Sequence, residues 1–126
     1  MKSHKFFICK HCGNLVGLVE NKGAPLTCCG EKMSELVANI VEASREKHLP
    51  VAVLSGSTLS VSVGSAAHPM EAAHHIAFVY LETAHGGQRK ALTAGSPAEV
   101  KFALVDDKAI AVYAYCNLHG LWKTEL

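Results

Sequence analysis

The apolar stretches of this chain are short, and from Glu46 onward they fall mostly in the rhythm of strands. Leu59-Ser60-Val61-Ser62-Val63 alternates strictly, which predicts a strand with Leu59, Val61 and Val63 on one face. Pro50 to Leu54, Ile76 to Leu81, Val100 to Leu104 and Ala109 to Tyr115 have the apolar, β-branched and aromatic content of further strands. Turn clusters separate them at Ser55-Gly56-Ser57, His85-Gly86-Gly87, Ala94-Gly95-Ser96-Pro97 and Asp106-Asp107. Short strands at this spacing predict a β-sandwich, so the expected fold class is mainly β. Residues 36–45 read as an ordered connector, helical or extended.

The N-terminal part follows another pattern. It is rich in Gly and Cys and poor in apolar side chains, and cannot bury enough surface to offset its ordering entropy without a cross-link. A bound metal would be that staple. At 126 residues the chain has room for one ordinary domain and a stapled minidomain, not for two independent cores. The expected division is 1–36 and 37–126, with 37–45 as connector.

Hydrophobic residues at 49% against 18% charged argue for a packed protein rather than a disordered one. A formal net charge of +1, with no block of like charges, argues against nucleic acid and anionic membrane as partners. No apolar run approaches the roughly 20 residues that cross a bilayer. Only Phe6, Phe7 and Ile8 are consecutive apolar residues before Cys9, too few for a secretory leader, so a cytoplasmic location is expected. In that reducing compartment five cysteines do not suggest a disulfide framework, and eight histidines beside them turn attention to metals.

Cys9-Lys10-His11-Cys12-Gly13 can converge two thiolates on one cation, and Cys28-Cys29-Gly30 offers two more. Adjacent side chains of an extended segment point apart, so Cys28 and Cys29 share an ion only if the chain turns there, which Gly30 permits. Four thiolates suit zinc or iron, and spacing does not choose between them. A disulfide, a structural zinc site and a thioredoxin-like pair are the competing readings. In the rest of the chain, Glu46-Lys47-His48-Leu49-Pro50, His68-Pro69-Met70 with His74-His75, and Cys116-Asn117-Leu118-His119-Gly120 cluster metal-binding residue types in three segments. Pro50 and Pro69 hold Leu49 and His68 extended, as suits imidazoles presented at a rim.

Cys9-x-x-Cys12 with Cys28-Cys29 resembles the desulforedoxin-like domain of desulfoferrodoxin. Glu46-Lys47-His48, His68-Pro69-Met70, His74 and Cys116-Asn117-x-His119-Gly120 resemble the active-site motifs of that family, the two-iron superoxide reductases. The likeness covers nearly the whole chain, with the motifs in the family's order. It implies a small desulforedoxin- or rubredoxin-like N-terminal domain and an immunoglobulin-like β-sandwich. It also implies two irons per chain. One would be held by Cys9, Cys12, Cys28 and Cys29; the other by His48, His68, His74 and His119, with Cys116 as axial thiolate and a sixth position open.

The implied reaction is one-electron reduction of superoxide to hydrogen peroxide without release of dioxygen, in a homodimer served by rubredoxin or a similar small electron donor. Lys47 would draw in the anion and support proton delivery, and Glu46 would occupy the open position after turnover. Asn117 and backbone N–H groups near Leu118 and His119 are expected to donate to the Cys116 sulfur. His75 departs from the family pattern; strand alternation would turn it away from His74. His4, His11 and His85 read as solvated. The alternatives are a rubredoxin-like electron-transfer protein, a zinc-binding interaction module, and nucleophile chemistry by a Cys116–His119 pair.

Overall fold

The computed structural model describes residues 4–126. They form two compact units, with the break between Val37 and Ala38. In the first, β1 (Phe6–Ile8), β2 (Leu15–Gly17) and β5 (Ser34–Leu36) make an antiparallel sheet in the order β2-β1-β5. Between them β3 (Thr27–Cys28) and β4 (Glu31–Lys32) form a separate hairpin. Phe6, Cys9 and Met33 are this unit's buried apolar side chains among the described residues.

The second unit opens irregularly, with a turn at Ala38-Asn39, so the connector is neither helix nor strand. Asn39 is fastened to the C-terminal strand instead: its side chain donates to Lys123 O and accepts from Lys123 N. One helical turn, α1 (Arg45–His48), follows and leads into the strand expected from Pro50. Leu49, before Pro50, is extended with φ −68° and ψ 123°, as the proline requires.

Seven strands complete the unit: β6 (Pro50–Ser55), β7 (Thr58–Val63), β8 (Ile76–Thr83), β9 (Gly86–Ala91), β10 (Glu99–Ala103), β11 (Ala109–Cys116) and β12 (Gly120–Glu125). They divide into sheets ordered β10-β7-β6 and β12-β11-β8-β9, every pair antiparallel, with the chain changing sheets after β7, β9 and β10. Leu59, Val61 and Val63 are buried while Ser60 and Ser62 are not, as alternation predicts. They join Phe102 of β10 and Ile76, Val79, Leu81, Val112, Ala114 and Cys116 of the other sheet in one core.

Strands β9 and β12 were not legible. The turn before β9 is Ala84-His85, so Gly86 and Gly87 belong to the strand, and Gly87 lies where the Tyr80 ring leaves no room for a side chain. No helix among the described residues is long and apolar enough to cross a membrane.

The metal-binding residue types collect at one end of the sandwich. Pro50 at the start of β6 pairs with Val63 at the end of β7, and Ile76 at the start of β8 pairs with Cys116 at the end of β11. The segments that precede β6 and β8 and follow β7 and β11 therefore meet. The β8–β11 ladder shifts register between Tyr115 and Cys116, an irregularity common beside functional sites.

Candidate metal centres

In the first unit the 9–14 loop is closed by Gly13 N donating to Cys9 O at 2.9 Å and Cys9 N to Asn14 O at 2.8 Å. The β3–β4 hairpin turns through Cys29 and Gly30, whose φ angles of 53° and 74° are both left-handed. That pattern is a two-residue type I′ turn, which favours Asn or Gly over Cys. A left-handed cysteine costs roughly 1–2 kcal/mol, and the turn swings two adjacent sulfurs toward one point.

Cys12 Sγ is 3.6 Å from Cys28 Sγ, which is 4.0 Å from Cys29 Sγ. All four sulfurs, including that of Cys9, lie within 4.8 Å of one another. A tetrahedron of metal–sulfur bonds of about 2.3 Å has edges of about 3.8 Å, whereas a disulfide needs about 2.05 Å. The geometry is that of a cation site.

Its electrostatics agree. The Cys12 backbone N–H pulls the Cys9 thiol down to about 6, while Cys12 and then Cys9 push Cys29 up to about 12 and Cys28 in the same direction. Sulfurs this crowded can all be thiolates only with a positive ion among them. Asn14 adds two donors, its backbone N–H to Cys12 Sγ at 3.5 Å and its Nδ2 to Cys28 Sγ at 3.9 Å. His11 is exposed, as expected, and also pairs with Glu31 at 2.5 Å, which ties the loop to the hairpin.

In the second unit the imidazoles form a ring. Neighbouring centroids are 4.7 Å apart for His48–His68, 4.7 Å for His68–His74, 5.2 Å for His74–His119 and 4.9 Å for His119–His48. The His48–His74 diagonal is longer, 6.4 Å, so the arrangement is an open quadrilateral, not a tetrahedron. Adjacent rings stand nearly perpendicular, at 73° to 86°. Donor atoms of His48, His68, His74 and Cys116 lie within 4.8 Å of one another. His119 completes the set from the side, its Nδ1 3.1 Å from His48 Nε2 and 3.8 Å from Cys116 Sγ.

The inward nitrogens are prepared as lone pairs. His48 Nδ1 donates to Ser44 O at 2.5 Å and His68 Nδ1 to Pro69 O at 2.7 Å, which leaves each Nε2 unprotonated. Burial lowers the affinity of both rings for a second proton, taking His68 to about 4. His68 Nε2 and His74 Nε2 are buried without a hydrogen-bond partner. Orphaned inward nitrogens beside a fully buried thiol fit a transition metal.

The backbone beneath the ring is tightly seated. Glu46 O accepts from Ala66 N at 2.9 Å and Ser65 Oγ at 3.3 Å. Gly64 approaches so closely that a Cβ there would stand 2.5 Å from Glu46 O and 2.9 Å from Leu49 O. His48 stacks on Trp122 with centroids 4.9 Å apart, and the Trp122 Nε1–H donates to His119 O. Gly64 and Trp122 escaped sequence reasoning, as did the Ser44 and Pro69 carbonyls.

Glu46 and Lys47 are exposed on the turn that ends in His48, and neither forms an ion pair among the described residues. Two expectations need correction. Asn117 does not donate its amide to the Cys116 sulfur; the side chain is engaged with the loop around His74. His75 lies outside any strand, so alternation does not orient it; it follows the tight Glu71–His74 loop and turns its Nδ1 back toward Glu71 O and Ala72 O.

Comparison with known proteins agrees with this geometry. Residues 2–36 match the family model described as desulfoferrodoxin, N-terminal domain, and residues 40–125 match the desulfoferrodoxin model. The desulfoferrodoxin of Nitratidesulfovibrio vulgaris is 38% identical over 97% of this chain and 96% of its own. That of Syntrophotalea carbinolica is 40% identical over 93% and 92%. The superoxide reductase of Treponema pallidum has a similar structure, with TM-score 0.84 and 38% identity over 98% of this chain and 100% of that one. The one-iron superoxide reductase of Giardia intestinalis, at TM-score 0.54 and 30% identity, covers 64% of this chain and 99% of itself. With both halves matched and a four-thiol and a four-imidazole, one-thiol constellation in place, the chain belongs to the desulfoferrodoxin family.

Proposed function

We propose that this chain is a superoxide reductase whose working iron is held by His48, His68, His74, His119 and Cys116. A second iron on Cys9, Cys12, Cys28 and Cys29 would pass on or store electrons. The observation that carries this reading is the open ring of four imidazoles with one buried thiol, a set of five donors. Five donors leave a six-coordinate ion one position for a small substrate, whereas four thiolates leave a tetrahedral ion none. Iron held by these residues would supply the one electron that, with two protons, converts superoxide to hydrogen peroxide with no dioxygen returned.

The chain's own groups would do the rest. The exposed Lys47 ammonium gives the rim a positive potential that draws in the anion and orders a proton-bearing water. Glu46, exposed beside Lys47 on the same turn, would be the carboxylate that covers the open side between turnovers. The carbonyls of Ser44 and Pro69 hold two rings in the tautomer that presents Nε2 inward. A rubredoxin or similar small protein is the proposed electron donor. A homodimer in the cytoplasm is the proposed setting, in keeping with five cysteines free of disulfides.

Pulse radiolysis of the reduced, iron-loaded protein tests the reading. Superoxide should disappear in a second-order reaction that oxidises the imidazole centre one for one and yields peroxide alone. Indifference to superoxide in fully metallated protein would reject it, and stoichiometric dioxygen would make the reaction a dismutation.

A further inference from the structure

The three buried-nitrogen imidazoles are not held alike. His48 and His68 each have a backbone carbonyl on Nδ1, Ser44 O and Pro69 O, which fixes the ring. His74 makes no such hydrogen bond among the described residues, although its Nε2 is buried and aimed inward without a partner. It sits in a short loop closed on itself by Glu71 N to His74 O at 2.9 Å and His74 N to Glu71 O at 3.1 Å. Something outside the loop must set its place.

Asn117 touches the loop on both sides of His74. Its Nδ2 donates to Ala73 O at 3.0 Å, its Oδ1 accepts from His75 N at 2.8 Å, and its backbone N–H donates to His75 O at 3.1 Å. Both ends of the amide are therefore spent on the peptide groups that flank one imidazole. Asn117 directly follows Cys116 in the chain, so the clamp fixes the distance between a nitrogen donor and the sulfur donor. We propose that Asn117 is the positioning residue for His74, doing through its side-chain amide what ring-to-carbonyl hydrogen bonds do for His48 and His68. This rests on the ligand set proposed above.

Outer partners of metal ligands typically contribute 10–100-fold to metal retention, and Asn117 is exposed to competing water, so the low end is expected. The test follows transfer of ferrous iron from anaerobic protein to a colorimetric chelator, with the four-thiolate centre's visible band as internal control. Asn117→Ala should release iron from the imidazole centre roughly tenfold faster and leave the control unchanged. In a His74→Ala background the same substitution should add nothing. The isosteric Asn117→Asp, which sets an oxygen against Ala73 O, should also release iron faster, and it carries the test if the alanine variant does not fold.

Unchanged release in both Asn117 variants overturns the proposal, as does an equal acceleration with and without His74. A shift of the Cys116 charge-transfer band with unchanged release would assign Asn117 to the sulfur instead and equally overturn it. If His74→Ala alone leaves release unaltered, the ligand set itself fails, and this inference with it.

Discussion

The first unit gathers four sulfurs around one point and has little core besides, whereas the second presents its imidazoles and thiol from the end of a core that is already continuous. The contrast is visible in burial. Phe6, Cys9 and Met33 are all that the first unit buries among described apolar residues, and one of them is a candidate ligand. The sandwich buries Leu59, Val61, Val63, Phe102 and facing residues of the other sheet, with Cys116 the one candidate ligand in that core. A closed site can serve as its own scaffold because each ligand is also a cross-link. An open site cannot, since a position kept for substrate contributes nothing to folding.

The largest expected effect follows from that difference. Removal of metal under reducing conditions should unfold the first unit and leave the sandwich folded, because binding energy is folding energy only where no independent core exists. Hydrogen exchange should show residues 4–37 losing protection while β7, β8 and β11 keep theirs. A single transition that takes both units together would break the comparison.

Next in size is the loss of one centre alone. Cys12→Ser removes one of the four sulfurs and should abolish the visible absorption of the thiolate centre. The rate of superoxide consumption by the imidazole centre should stay within about twofold, since that centre's donors all lie in the other unit. An iron-loaded Cys12→Ser protein that no longer reacts with superoxide would mean that the two centres are one machine.

A subtler probe strains the platform without touching a donor. In Gly64→Ala the new methyl would press on the Glu46 and Leu49 carbonyls, which are backbone and cannot rotate away. Overpacking of this kind costs about 1–3 kcal/mol, and in a domain of this size each kcal/mol lowers Tm by roughly 4–8 °C. Calorimetry should find the sandwich transition lowered and the thiolate centre's colour intact. An unaltered transition would show that the 46–49 turn yields freely and that Gly64 does not seat it.

The contrast also explains what could be read from sequence. Strands β6, β7, β8, β10 and β11 were legible because one buried face imposes a period of two or an apolar run. In β12 the neighbours Leu121 and Trp122 are both buried, which erases the alternation, and β9 is an exposed polar edge opened by two glycines. The one-turn helix α1 has too few residues for any period. The nine candidate ligands stood out because Cys and His are the side chains that offer thiolate and imidazole donors, and the family motifs grouped them. What orients them was not visible, since the Ser44 and Pro69 carbonyls could belong to any residue. Asn117 was noticed, but toward the wrong partner, because its hydrogen bonds cross to a loop more than forty positions away.

The smallest expected effect separates encounter from chemistry at the open centre. Lys47 is one residue from His48 and exposed, and its charge adds a small repulsion to the burial that chiefly disfavours a second proton on that ring. Superoxide is a small anion, and a single rim cation accelerates its capture only through a potential that salt screens over about 8–10 Å. Lys47→Ile should therefore lower the second-order rate with superoxide by roughly tenfold at low ionic strength and flatten its dependence on salt. Later, first-order steps and iron retention should change far less, because the substitution removes a charge and no ligand. The corresponding change in the first unit, Lys10→Ile, also sits beside a ligand but next to a closed site, and should leave the superoxide rate alone. If Lys47→Ile keeps both the rate and the salt slope, the anion is captured without help from this rim, and the open side of the ring alone accounts for the encounter.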